Sequence, residues 1–217
     1  MTAALRRIPA DLVPGAEPAL HLLDLALLAL GEREAASAAF DRAASASEEV
    51  GDAAGIVLAG LGRAQIEQID GDAATARPLF EESVRGLTQL GIPLWGGHAL
   101  AGVAWCDWRD GLLDDAAERY AQVHAAGQQY GEPTLLATGL EGLARVAASV
   151  GQRDEARARL SEAVKVRQAS ARPAPPHEQV ELDDLWGQVG EAAEAAIQMV
   201  APRGSVDVAR PGQLTSK

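Results

Sequence analysis

Shifted by 40 residues, the chain falls into register with itself, and this constrains its fold more than any other feature. Gly31, Gly71, Gly111 and Gly151 stand at that interval. So do Ala36, Ala76, Ala116 and Ala156 and, four residues further on, Phe40, Phe80, Tyr120 and Leu160. Three more series keep the same step: Gly51, Gly91 and Gly131; Gly62, Gly102 and Gly142; Pro93, Pro133 and Pro173. A period of about 20 to 50 residues is the mark of one supersecondary unit copied and stacked, because a single copy cannot bury its own apolar face.

The series have physical readings. A residue just past a helix C-terminus often takes the left-handed conformation, which glycine adopts at least cost, so the Gly31 series marks the turn inside a helical hairpin. Ala36 and Phe40, with their equivalents, lie one turn apart on the second helix. The small residue admits the first helix and the large one fills the space beyond it. The Gly51 series closes the second helix, and proline two residues later suits the first turn of the next. The spacing predicts helices over 17–30, 33–50, 53–70, 72–90, 93–110, 112–130, 133–150 and 152–170, and a last helix over 176–200. The expected fold is all-α: a right-handed α-solenoid of four antiparallel helix pairs with a C-terminal capping helix. In this map 1–16 is an extended segment, 17–172 the four hairpins, 173–200 the linker and cap, and 201–217 a flexible tail. Leu136, Leu140, Leu143, Ala147 and Val150 give the fourth pair one apolar stripe at helical spacing. The capping helix carries Glu178, Glu181, Asp183, Asp184, Glu191 and Glu194 with no Lys or Arg, whereas the helix before it carries Arg153, Arg157, Arg159, Lys165 and Arg167. That contrast admits a solvated face or a charge-matched cap.

Composition narrows the function classes. In 217 residues there is room for one domain or two small ones, and a formal charge of -12 makes nucleic acid a poor partner. Aromatic residues are only 4% of the chain, which favours helices over sheets. Cys106 is the single cysteine, so no intrachain disulfide forms and a reducing, cytoplasmic setting fits. The most apolar stretch, 19–30, contains His21 and Asp24 and is too short for a membrane span.

The frame Gly151-Gln-Arg-Asp-Glu-Ala156 followed by Leu160 resembles the middle of a tetratricopeptide repeat, and the runs from Gly31, Gly71 and Gly111 match it over about 17–172. The longer unit is similar to the helical-repeat regions of large bacterial ATP-dependent transcription regulators of the LuxR type. Val166 to Pro176 resembles the segment that closes such regions, and Ala209 to Ser216 the approach to their C-terminal helix-turn-helix. The resemblance implies a regulatory repeat module without its ATPase and its DNA-binding domain.

Motifs for chemistry are sparse. Lys165 and Lys217 are the only lysines, and neither follows the glycines of a P-loop. His177-Glu-Gln-Val-Glu has one histidine where a zincin helix needs two, and no Gly-x-Ser-x-Gly elbow occurs. No metal, cofactor or direct nucleic-acid contact is therefore expected. The first helices give a better signal. Their non-core stripe is Leu58, Leu61, Gln65 and Gln68 in the second pair, His98, Ala101, Trp105 and Arg109 in the third, with Trp108 beside it, and Thr138, Glu141, Arg145 and Ser149 in the fourth. His98, Trp105, Trp108 and Arg109, flanked by Gln65, Glu141 and Arg145, are the expected groove for a protein segment or a small molecule with an apolar body and an acidic end. The competing account is that the indoles fill gaps between helices. Trp95, Trp186, Cys106, His124 and Tyr130 read as packing residues. Two other functions stay open: an enzyme using His98 or Glu141 as acid or base, and a homodimer formed through the apolar first repeat from Leu22 to Leu30.

Overall fold

The computed structural model describes residues 32–190. The expected segment 1–16, the helix 17–30 with its leucines, and the tail 201–217 lie outside the described residues. Within them the regular structure is entirely helical: α1 (Arg33–Val50), α2 (Ala53–Ile69), α3 (Ala73–Gln89), α4 (Pro93–Arg109), α5 (Leu113–Tyr130), α6 (Pro133–Ser149), α7 (Arg153–Ser170) and α8 (Pro176–Val189). Each helix packs on the one before it. The first helices also touch in succession, α2 on α4, α4 on α6 and α6 on α8, as expected of a helical repeat.

The turns sit where the glycines place them. Gly71, Gly111 and Gly151 have φ of 78, 76 and 80°, the left-handed region in which a Cβ is penalised. The register breaks once at the other turn. Ala171 stands where Gly51, Gly91 and Gly131 stand in earlier copies, and it holds φ 54°. Ala171→Gly is therefore expected to stabilise the protein by about 1 kcal/mol, the strain of one left-handed alanine. A chemical-denaturation midpoint that does not rise would contradict that reading. After Ala171 the chain runs without helix through Pro173 and Pro175, so α8 starts at Pro176 rather than at Pro173.

The large member of the small-large code proves to sit at an interface between hairpins. Ala36, Ala76, Ala116 and Ala156 are fully buried, and Phe40, Phe80 and Tyr120 are 1% exposed or less. Each ring lies against the glycine of the following first helix. A Cβ on Gly62 would stand 2.1 Å from Phe40, on Gly102 2.3 Å from Phe80, and on Gly142 2.1 Å from Tyr120. The last interface inverts the sizes: Leu160 replaces the ring, and Leu182, at the same offset, replaces the glycine. Both leucines are buried in one cluster with Ala156, Leu185 and Val189. By register and packing, α8 occupies the place of the first helix of a further unit.

α8 ends at Val189, where Gly190 takes φ 62°, and the 191–200 part of the expected last helix lies outside the described residues. Three sequence expectations need correction. The buried face of α6 is centred on Leu135, Leu140, Ala144 and Ala147, while Val150 lies beyond the helix and is 52% exposed. Tyr130, at the very end of α5, is 43% exposed and not a packing residue. Trp105, Glu141 and Arg145, expected on an open face, are all buried.

Candidate functional site

Why those three residues are buried follows from where successive first helices meet. Gln65, Trp105 and Arg145 share one register position, and α2, α4 and α6 touch in series. On α4, Trp105 is 2% exposed and packs in the cluster that holds Leu61, Phe80 and Leu87. Its indole Nε1 has no hydrogen-bond partner among the described residues, and neither has Gln65 Oε1 on α2. The exposed Arg109 sets its guanidinium 5.5 Å from the Trp105 ring centroid, a cation-π contact. Trp108 is half-buried and donates from Nε1 to Ser149 Oγ at 3.0 Å, tying α4 to α6. His98 is half-buried beside Trp95, their rings 5.4 Å apart. Burial lowers the His98 pKa, so its imidazole is neutral at physiological pH.

Glu141 and Arg145 belong to a different assembly, between α6, α7 and α8. The Glu141 carboxylate is gripped at both oxygens by Arg167 of α7, Nε to Oε1 at 2.6 Å and Nη2 to Oε2 at 2.7 Å. Both residues are buried. Arg167 Nη2 also lies 3.6 Å from Glu178 of α8. Arg145 donates to Glu181 of α8 at 3.1 Å. Burial first, and then the neighbouring Glu141 carboxylate, raise Glu178 to about 7 against the pull of Arg167 and Arg145. The seven expected site residues thus divide. Trp105 and Arg109 meet on α4, with Gln65 at the equivalent position of α2; Trp108 bridges to α6; His98 lies toward Trp95; Glu141 and Arg145 join the α8 charges.

Two groups of residues escaped the sequence reading. Arg167 and Glu178 were visible only as members of charge runs. Their signal was available in the register, since Glu141 stands where Leu61 and Ala101 stand, a charge at a position shared with apolar residues. Asp107 was missed altogether. It is 1% exposed, meets Arg77 Nη1 of α3 at 2.8 Å and also pairs with Arg119 of α5, while Arg77 Nη2 reaches Asp110 at 2.9 Å. Two register steps on, Arg157 donates to the carbonyls of Val189 and Gly190 at 2.7 and 3.0 Å. An arginine at this position fastens the C-terminal end of the following first helix, where carbonyls lack intrahelical donors.

Cys106 is buried and its thiol is pushed up to about 11 by that burial, which leaves no thiolate for chemistry at neutral pH. Among the described residues no cluster of His, Cys, Asp and Glu is arranged to hold a metal ion, and no helix is long and apolar enough to cross a membrane. The chain matches no known family model and no curated protein sequence.

Proposed function

We propose that this chain is a noncatalytic recognition module: a right-handed, tetratricopeptide-like solenoid whose first helices bind a protein segment or a small ligand. One observation carries the reading. The charged groups of this face around α6 are satisfied by one another, while among the described residues Gln65 Oε1 on α2 and Trp105 Nε1 on α4 remain without partners, and the exposed cation of Arg109 stands over the Trp105 ring. An unpaired buried polar atom costs roughly 1–3 kcal/mol, which a ligand that parts the side chains covering it and supplies its partner would recover. An acceptor for the indole N-H, a donor for the Gln65 carbonyl and a carboxylate for Arg109 describe a peptide segment with an acidic end. The enzyme reading has less support, because both oxygens of Glu141 are engaged by Arg167 and cannot act as a free base. Kinship with LuxR-type regulators rests on the sequence frame alone.

An array of short peptides with free C-terminal carboxylates, set against the same peptides amidated, tests the reading. A subset of the free-acid peptides is expected to bind. Arg109→Glu should weaken capture at least about tenfold, since a charge-assisted hydrogen bond is worth roughly 1.5–3 kcal/mol. Trp105→Phe, which keeps the ring and removes the N-H, should weaken it by a few-fold without lowering the melting temperature much. Binding that ignores both substitutions, or no preference for the free acid, would refute it.

A further inference from the structure

We propose that the ion cluster beneath α8 is a proton-operated latch: with Glu178 protonated α8 is held against α6 and α7, and with Glu178 ionised its grip weakens. The groups facing Glu178 are Tyr120 from α5, whose phenol burial keeps neutral, Glu141 and Arg145 from α6, Arg167 from α7, and His177 and Glu181 from α8 itself. Arg167 is committed to Glu141 by two hydrogen bonds of 2.6 and 2.7 Å, and its distance to Glu178 is longer, 3.6 Å. Arg145 spends its charge on Glu181 at 3.1 Å. Two guanidinium groups therefore face two carboxylates already paired with them, and Glu178 is the third carboxylate. Ionised, it leaves the cluster with one uncompensated negative charge on a side chain that is only 31% exposed; protonated, it leaves the cluster neutral. His177 Nε2 lies 4.0 Å from Glu178 Oε1, and burial lowers the histidine pKa, so it supplies no cation near neutral pH.

The rest of the α8 attachment is light enough for this to matter. The helix has 14 residues, its N-terminus has no side-chain cap, and it buries Leu182, Leu185 and Val189. The sign follows from linkage. Glu178 has a folded-state value near 7 against 4.5 for an ordinary glutamate, so docked α8 binds more protons than released α8 between those values. Docking is strongest below about 4.5 as far as this group is concerned, and weakens as pH rises through about 7. Lifting α8 would uncover the apolar surface around Ala156 and Leu160.

Amide hydrogen exchange of α8 in the full chain, corrected for intrinsic exchange by α5 of the same molecule, tests the latch. Between about pH 6 and pH 8 the protection of α8 relative to α5 is expected to fall about tenfold, the change that one group titrating near 7 produces. Glu178→Gln should flatten the profile and leave α8 as protected at pH 8 as the parent is at pH 6. Asp183→Asn, on the exposed side of α8, should keep the step. A flat profile in the unmodified protein, which needs no variant to fold, would overturn the proposal. So would a step that persists in Glu178→Gln.

Discussion

Replacing Gly102 with alanine is expected to lower the unfolding free energy by about 2 kcal/mol, although alanine is the better helix former by roughly 1 kcal/mol. The added methyl would stand 2.3 Å from the Phe80 ring, in an interface where Phe80 is 1% exposed and cannot swing into solvent. The ring or the helix has to move, and α4 then separates from α3. The chain contains its own compensating version of this contact: where Leu160 replaces the ring, Leu182 replaces the glycine, and both are buried. Phe80→Leu should by itself cost about 1 kcal/mol or more in lost burial. Combined with Gly102→Ala, it should cost less than the two single changes added together. Denaturation followed by far-UV circular dichroism gives all four corners of the cycle. Strict additivity, or a Gly102→Ala protein as stable as the parent, would mean that the ring is not seated on the glycine.

That pairing also shows what the sequence discloses and what it conceals. Helix ends were legible to within about one residue from Gly71 to Gly151, because backbone handedness at a turn is a local property that one residue type satisfies. The partners of Phe40, Phe80 and Tyr120 were not. The register showed the Gly62 series, but only the approach of two hairpins reveals that the glycines make room for rings. Burial on the first helices was concealed for a related reason. Trp105 and Arg145 are followed four residues later by Arg109 and Ser149, so helical period alone placed them on a polar stripe. Contact between successive first helices puts the same position inside. The polarity of a single helix cannot report a neighbour that arrives 40 residues later. Charge runs hid the α8 cluster in the same way, since Arg167 is counted with Arg153 and Arg159 in sequence yet is 5% exposed.

Arg167→Met should produce the largest loss of stability, about 3–5 kcal/mol, because it leaves the Glu141 carboxylate buried without its fork of two donors. The comparison that gives this figure meaning is Arg159→Ala on the same helix. Arg159 pairs with Glu155 at 2.6 Å, a distance equal to the shorter Arg167 bond, but the two side chains are 32% and 47% exposed. Water screens that pair, and its loss should cost about 0.5 kcal/mol or less. Equal distance and unequal cost would locate the difference in desolvation and not in bond length. Glu141→Leu combined with Arg167→Met should recover most of the loss, since removing both charges removes the stranded one. It should also lower the Glu178 pKa toward that of an ordinary glutamate, because the Glu141 carboxylate raises it more than Arg167 lowers it. A carbon-13 titration of the Glu178 carboxyl in the double variant checks the direction. Melting temperatures of the three variants decide the first part: an Arg167→Met protein that melts with Arg159→Ala would mean that water reaches the Glu141 pair, and the charge on Glu178 would then have no dry surroundings to disturb.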